Sequence, residues 1–283
     1  MNDNNSGTKS EKKSDPKILL IGAGKMGLAL LSGWIENFIK VENVFVIEPH
    51  PSQELDSLGA GGLRLNPPTA ELKSFQPDCV VIAVKPQMAE KVLTEVKADL
   101  PSESLVLSIM AGVTLAQIES LTGNTSIVRT MPNTPAAIGA GVSALVASAA
   151  VDAAQKKLAT QIMQATGHAV WLSSEAEMDA VTAISGSGPA YVFHMVEAMA
   201  QAGVKLGLSA ELAELLAHQT VAGAGRMLAE LPESAAQLRV NVTSPNGTTQ
   251  AALEVLMGRE GLPELMEKTT AAAAKRSKEL AES

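Results

Sequence analysis

The sequence is poor in cysteine, in aromatic rings and in positive charge, and each scarcity closes off a class of function. Its one cysteine, Cys79, excludes an internal disulfide and a multi-cysteine zinc site. Lying in an apolar run, it reads as a small buried hydrophobe and not as a reactive thiol. Aromatic residues are 2% of the chain, which leaves little ring surface on which to stack bases. The formal net charge is -8, with no cluster of Lys and Arg to follow a phosphate backbone. Nucleic acid is therefore not an expected partner. No run approaches the roughly 18 apolar residues that a bilayer span needs, so no membrane is expected either. Residues 1–16 are polar and mixed in charge, lack the apolar stretch of a secretory signal, and read as a disordered tail. A cytoplasmic protein is expected. His50, His168, His194 and His218 are scattered, without a carboxylate or cysteine cluster, so no metal is expected.

What remains is a globular composition, 46% hydrophobic and 18% charged over 283 residues, long enough for two domains. From 17 to 173 short β-branched runs alternate with helix-like stretches, the pattern of a parallel sheet covered by helices on both faces. The strand candidates are 17–21, 44–47, 79–84, 105–109 and 126–129, nearly continuous in apolar residues as doubly buried strands should be. Segments 142–147 and 169–172 flank an Ala-rich helix and are expected to extend the same sheet. From 174 to 283 the strand signal vanishes and helices follow. The expected fold is thus a Rossmann-type doubly wound α/β sheet followed by an all-helical domain. On the helix expected over 189–206, His194, Glu197, Gln201 and Lys205 form one narrow polar stripe. A second copy of the chain is expected to cover the rest. Ser209 reads as the N-cap of the next helix, with Glu211 favourably placed in its first turn, and Pro263 can open the last one. Lys275, Arg276 and Lys278 suit that helix's C-terminus.

The segment ILLIGAGKMG places Gly22, Gly24 and Gly27 in G-x-G-x-x-G order after an apolar strand and at a helix start, with Lys25 and Met26 between the last two. The first glycine permits the tight turn, the second lets backbone approach a pyrophosphate, and the third allows close helix–strand packing. Glu48 follows at the end of the second strand, where a carboxylate can accept from the adenine ribose hydroxyls. A solvated charge ahead of Pro49 is the alternative. Ala83, Val84, Lys85 and Pro86 end one strand, and Met131, Pro132, Asn133 and Thr134 follow another. At strand C-termini they are placed to line the nicotinamide half of the cofactor, although two prolines could equally make a merely stiff loop.

The segment LRVNVTSPNGTTQAALEVL passes from a polar stretch straight into an apolar helical pattern. N–H groups gather at such a helix start and bind anions. The hydroxyls of Ser244, Thr248 and Thr249 would add donors, so that a small carboxylate could be held without arginine; an ordinary capped turn is the alternative.

With GAGKMG, AVKPQ, RTMPNTPA, ISGSGPAYVF and NVTSPNGTTQAALEVL in this order, the sequence resembles the pyrroline-5-carboxylate reductase family from about residue 17 onward. The resemblance implies a Rossmann domain, a helical domain that interlocks with a second protomer as a homodimer or higher oligomer, and an active site where cofactor and substrate domains meet. It implies NAD(P)H as cofactor and (S)-1-pyrroline-5-carboxylate as substrate, reduced to L-proline. It further implies that Ser244, Pro245, Asn246, Gly247 and Thr248 bind the substrate carboxylate, that Thr249 hydrogen-bonds the ring nitrogen, and that Asn241 belongs to the same region. The segment SGSGPAY is implied to approach the nicotinamide. Asn246 stands where many members of the family have glycine; because Asn tolerates positive φ, the loop shape should survive.

Two other readings compete. A β-hydroxyacid dehydrogenase-like enzyme would need a positioned lysine on the helical domain, and Lys205 belongs instead to the polar stripe. A catalytically silent dinucleotide-binding regulator would have no use for the substrate loop. Within the nicotinamide reading, Glu48 predicts a modest preference for NADH. Its charge would repel a 2′-phosphate, and PHPSQE supplies no Arg or Lys to offset it.

Overall fold

The computed structural model describes residues 15–282. The tail expected over 1–16 therefore falls, through residue 14, outside the described residues. The chain separates into two compact units, one ending at Glu175 and the other beginning at Ala176.

In the first unit the elements run β1 (Ile18–Ile21), α1 (Lys25–Asn37), β2 (Val44–Ile47), α2 (Gln53–Ala60), β3 (Arg64–Leu65), α3 (Thr69–Phe75) and β4 (Cys79–Ile82). There follow α4 (Ala89–Val96), β5 (Leu105–Ser108), α5 (Leu115–Thr122), β6 (Ile127–Met131), β7 (Gly141–Ala147), α6 (Ala153–Gln164) and β8 (Gly167–Trp171). The strands form one sheet in the order β3-β2-β1-β4-β5-β6-β7-β8. Because the chain moves outward from β1 in one direction and then from β4 in the other, the boundary between them is the switch point of a doubly wound sheet.

Three features differ from expectation. β3 is only two residues long, too short to give a periodic signal. The expected run at 79–84 pairs only through Ile82, and that at 169–172 begins earlier, at Gly167. The third concerns direction: β7 runs antiparallel to β6, while β8 is parallel to β7. The link from Met131 to Gly141 holds a short 3₁₀ turn, Thr134–Ile138. That is less than the dozen or so residues a parallel crossover requires, so the chain reverses.

Alternate strand residues feed two cores. Ile18, Leu20, Val44, Val46 and Val81 pack with Trp34 of α1 and Ile162 of α6 on one face. Leu19, Ile21, Val80 and Ile82 pack on the other with Phe45 and Phe75, whose rings stack at 3.8 Å. Cys79 is fully buried on the first face, beside Leu20 and Val81 in the core around Trp34, and burial, with the nearby Asp78 charge, pushes its thiol pKa far up, against a smaller lowering by a backbone hydrogen bond at Leu107. Trp34 is fully buried, and its Nε1 donates to the Ile162 carbonyl at 2.9 Å, tying α1 to α6. Trp34→Phe is expected to cost about 2–4 kcal/mol, from a void and an unsatisfied carbonyl. The urea midpoint should fall accordingly with an unchanged slope.

The second unit is helical: α7 (Met178–Val181), a π-helical turn (Thr182–Gly186), α8 (Gly188–Lys205), α9 (Ala210–Glu230), α10 (Ala235–Asn241), α11 (Thr248–Leu256) and α12 (Leu262–Glu282). Ser209 caps α9 by accepting from Leu212 N, and Glu211 lies in its first turn. α8 and α9 approach closely because Gly203 faces Ala213, where an added Cβ would stand 3.1 Å from the alanine methyl. α12 continues to Glu282, so Lys275, Arg276 and Lys278 precede its last turn and do not end the helix as expected. On α8 the polar stripe is exposed, and so are Val192, Phe193, Met195 and Met199 on its other sides. An apolar surface of this kind on a helix requires a cover. No helix among the described residues is long and apolar enough to cross a membrane.

Candidate active site

The parallel strands β1, β2, β4 and β6 all deliver their C-termini to one edge of the sheet. At the end of β1, Gly22 has φ +89°, a conformation that side chains disfavour, and its N–H donates to the Ile47 carbonyl at 2.8 Å. A Cβ on Gly22 would lie 2.8 Å from the Ala83 carbonyl oxygen, and one on Gly27 would run into the Gly22 carbonyl. Gly24, by contrast, has nothing within 4 Å of where its Cβ would be. It is the N-cap of α1 with no side chain capping the helix. Open space over uncapped N–H groups at a helix start fits a pyrophosphate. Lys25 is exposed and Met26 half-buried beside it.

Glu48 departs from the expected arrangement. Its carboxylate is neither a free solvated charge nor simply aimed outward. Oε2 accepts from Ala23 N at 2.9 Å and Oε1 from His50 N at 3.0 Å, so it braces the glycine turn directly.

Ala83 and Val84 are half-buried past the end of β4, and exposed Lys85 leads into a 3₁₀ turn opened by Pro86. Met131, the last residue of β6, is half-buried and Pro132 beyond it buried; Thr134 is exposed. Asn133 Oδ1 accepts from Val142 N at 2.9 Å, which fixes this loop across the hairpin. A buried charge holds β6 from below: Arg129 Nη1 meets Glu175 Oε1 at 2.7 Å, and the same oxygen accepts from Leu115 N at 2.9 Å.

In the helical unit, Asn241 ends α10, its Oδ1 accepting from Gln237 Nε2 at 2.7 Å. Ser244, Pro245 and Asn246 then turn the chain, with Gly247 N bonded to the Ser244 carbonyl at 3.0 Å. Asn246 has φ +58°, the left-handed conformation expected of it, and its N–H is held by Gln250 Oε1 at 2.8 Å. Gly247 is the N-cap of α11, again with no side chain capping, and Thr248 and Thr249 open the helix. The loop thus presents hydroxyls and helix-start N–H groups together, a donor set suited to a carboxylate.

A pyrroline-5-carboxylate reductase from Pseudomonas aeruginosa is 42% identical over 270 residues, covering 95% of this chain and 98% of that protein. The chain belongs to the pyrroline-5-carboxylate reductase family. Among solved structures, the Coxiella burnetii pyrroline-5-carboxylate reductase is 41% identical with a TM-score of 0.86, covering 94% of this chain and 99% of the other. The Plasmodium falciparum enzyme, solved with NADP bound, is 34% identical with a TM-score of 0.79, covering 94% and 98%. The family model for pyrroline-5-carboxylate reductase dimerisation matches residues 175–280, and one described as NADP oxidoreductase, coenzyme F420-dependent, matches 17–112.

Four of the five motifs fall in two places, and the remaining one, ISGSGPAYVF, spans the π-helical turn and the start of α8. Gly22, Gly24, Gly27, Glu48, Ala83, Lys85, Met131 and Asn133 lie along the C-terminal sheet edge; Asn241 ends α10, and Ser244 and Thr249 flank the start of α11. The sequence reading missed Arg129 with Glu175, although a lone arginine in an otherwise apolar strand signals a buried partner. It also missed Asn66, which follows a strand too short to be seen.

Proposed function

We propose that this chain reduces (S)-1-pyrroline-5-carboxylate to L-proline with a reduced nicotinamide dinucleotide, the last step of proline biosynthesis, in the cytoplasm. The observation that carries this is the pairing, in one chain of this family, of an open glycine turn at the sheet's switch point with an uncapped, hydroxyl-lined start of α11. The bound dinucleotide supplies the hydride. Gly22 and Gly27 hold the turn tight, and the α1 N–H groups beside Gly24 take the pyrophosphate. Ala83, Val84, Lys85, Pro86, Met131, Pro132, Asn133 and Thr134 line the nicotinamide side. Ser244, Pro245, Asn246, Gly247 and Thr248 form the carboxylate cradle, with Asn241 supporting it. Thr249 directs its hydroxyl to the imine nitrogen. An ordinary threonine is a weak acid, so its role is to orient a nitrogen that already carries, or receives from water, the proton it keeps in proline.

Glu48 supports a modest NADH preference. It keeps a negative charge at the β2 end, and the nearest downstream cation, Arg64, is engaged with Glu71 and lies over the Phe45 ring. Screening at this rim limits the effect, so the kcat/KM ratio of NADH over NADPH should exceed one and fall about tenfold in Glu48→Ser. A wild type that strongly prefers NADPH would refute this.

Exposed Val192, Phe193, Met195 and Met199 support an obligate dimer through the helical unit. Light scattering should report a dimer at micromolar concentration; a folded monomer there would contradict it.

A further inference from the structure

The residue after β3 makes an unusual set of bonds. Asn66 sits at φ +48°, with its own N–H donating to the Val46 carbonyl at 2.8 Å. Its side-chain amide pairs with the peptide groups of a single residue, Glu48: Oδ1 accepts from Glu48 N at 2.9 Å and Nδ2 donates to Glu48 O at 2.8 Å. The amide thereby replaces the ladder partner that a two-residue strand cannot supply. Glu48 lies just beyond β2 and before Pro49, where the strand's own hydrogen bonds have ended. Its side chain then reaches Ala23 N and His50 N. A line of hydrogen bonds consequently runs from the end of β3, through the end of β2, to the glycine turn after β1.

We propose that Asn66 is a positioning residue for dinucleotide selectivity: it fixes the Glu48 backbone so that the carboxylate stays against the glycine turn, where a 2′-phosphate meets its charge. This rests on the reading of Glu48 given above. Without the amide, the Glu48 peptide loses both partners and its carboxylate is held only by Ala23 N and His50 N, so that it turns more readily into solvent, where screening weakens its repulsion of a phosphate.

Asn66→Gly is the suitable probe, because glycine adopts the positive φ without strain and removes only the amide. The measurement is kcat/KM for NADH and NADPH in wild type, Asn66→Gly, Glu48→Ser and the double variant, with circular dichroism to verify folding. Asn66→Gly is expected to lower the NADH over NADPH ratio about fivefold, chiefly through the dinucleotide KM. The double variant should match Glu48→Ser alone, since Asn66 has nothing to position once the carboxylate is gone. If Glu48→Ser shifts the ratio and Asn66→Gly does not, or if the two effects add, the proposal for Asn66 is overturned while the reading of Glu48 stands. If Glu48→Ser leaves the ratio at the wild-type value, the reading of Glu48 fails first and Asn66 falls with it.

Discussion

Gly27→Ala is expected to raise the dissociation constant for reduced nicotinamide dinucleotide about a hundredfold, equivalent to ~2.7 kcal/mol. The added methyl would run into the Gly22 carbonyl, with the Ala83 methyl 3.3 Å away on the other side. Neither neighbour is the flexible end of a long side chain. The start of α1 must therefore move off the sheet, taking with it the N–H groups that face the pyrophosphate. Gly24→Ala meets no atom within 4 Å in the protein, so any loss of affinity there reports a clash with the ligand alone. Isothermal titration of both variants separates the two roles. Equal, small losses would mean that the loop tolerates a Cβ at either position and that its glycines are not needed for binding.

The second large effect belongs to the start of α11. Thr249→Ala is expected to lower kcat about 10–100-fold, because an orienting hydroxyl matters most where the nitrogen changes its charge and geometry. The KM for the imino acid should move less, since the backbone N–H groups of Thr248 and Thr249 at the start of α11 remain. Ser244→Ala should show the opposite split, with a raised KM and little change in kcat. The helix itself should persist in both, as its loop is set by Asn246 at φ +58° and by the Gln250 side chain on Asn246 N. Wild-type kinetics in both variants would reduce the segment to a capped turn.

Much of this was legible in the sequence because it depends on local chemistry. Apolar runs such as Ile18–Ile21 have to be strands buried on both faces, and the glycine spacing after them has one economical use. Asn246 was readable for the same reason, as few side chains accept its backbone conformation. What escaped depends on contacts between distant segments. β3 carries no period in two residues, so Asn66 had no strand to be placed against, and the partners of the Glu48 carboxylate came from turns on either side of it. The reversal of β7 follows from the length of a link, not from the composition of the strand. Arg129 and Glu175 lie 46 positions apart, and nothing near either residue names the other.

The central claim is catalytic, and the direct measurement is oxidation of NADH and of NADPH at 340 nm with pyrroline-5-carboxylate, with proline quantified as product and a 2-keto or 3-oxo acid as control. The account predicts one proline formed per dinucleotide oxidised and no comparable turnover of the oxo acids. Dinucleotide binding without turnover of the imino acid would contradict it in favour of a silent regulator, and preferential turnover of the oxo acids would contradict it in favour of a hydroxyacid dehydrogenase.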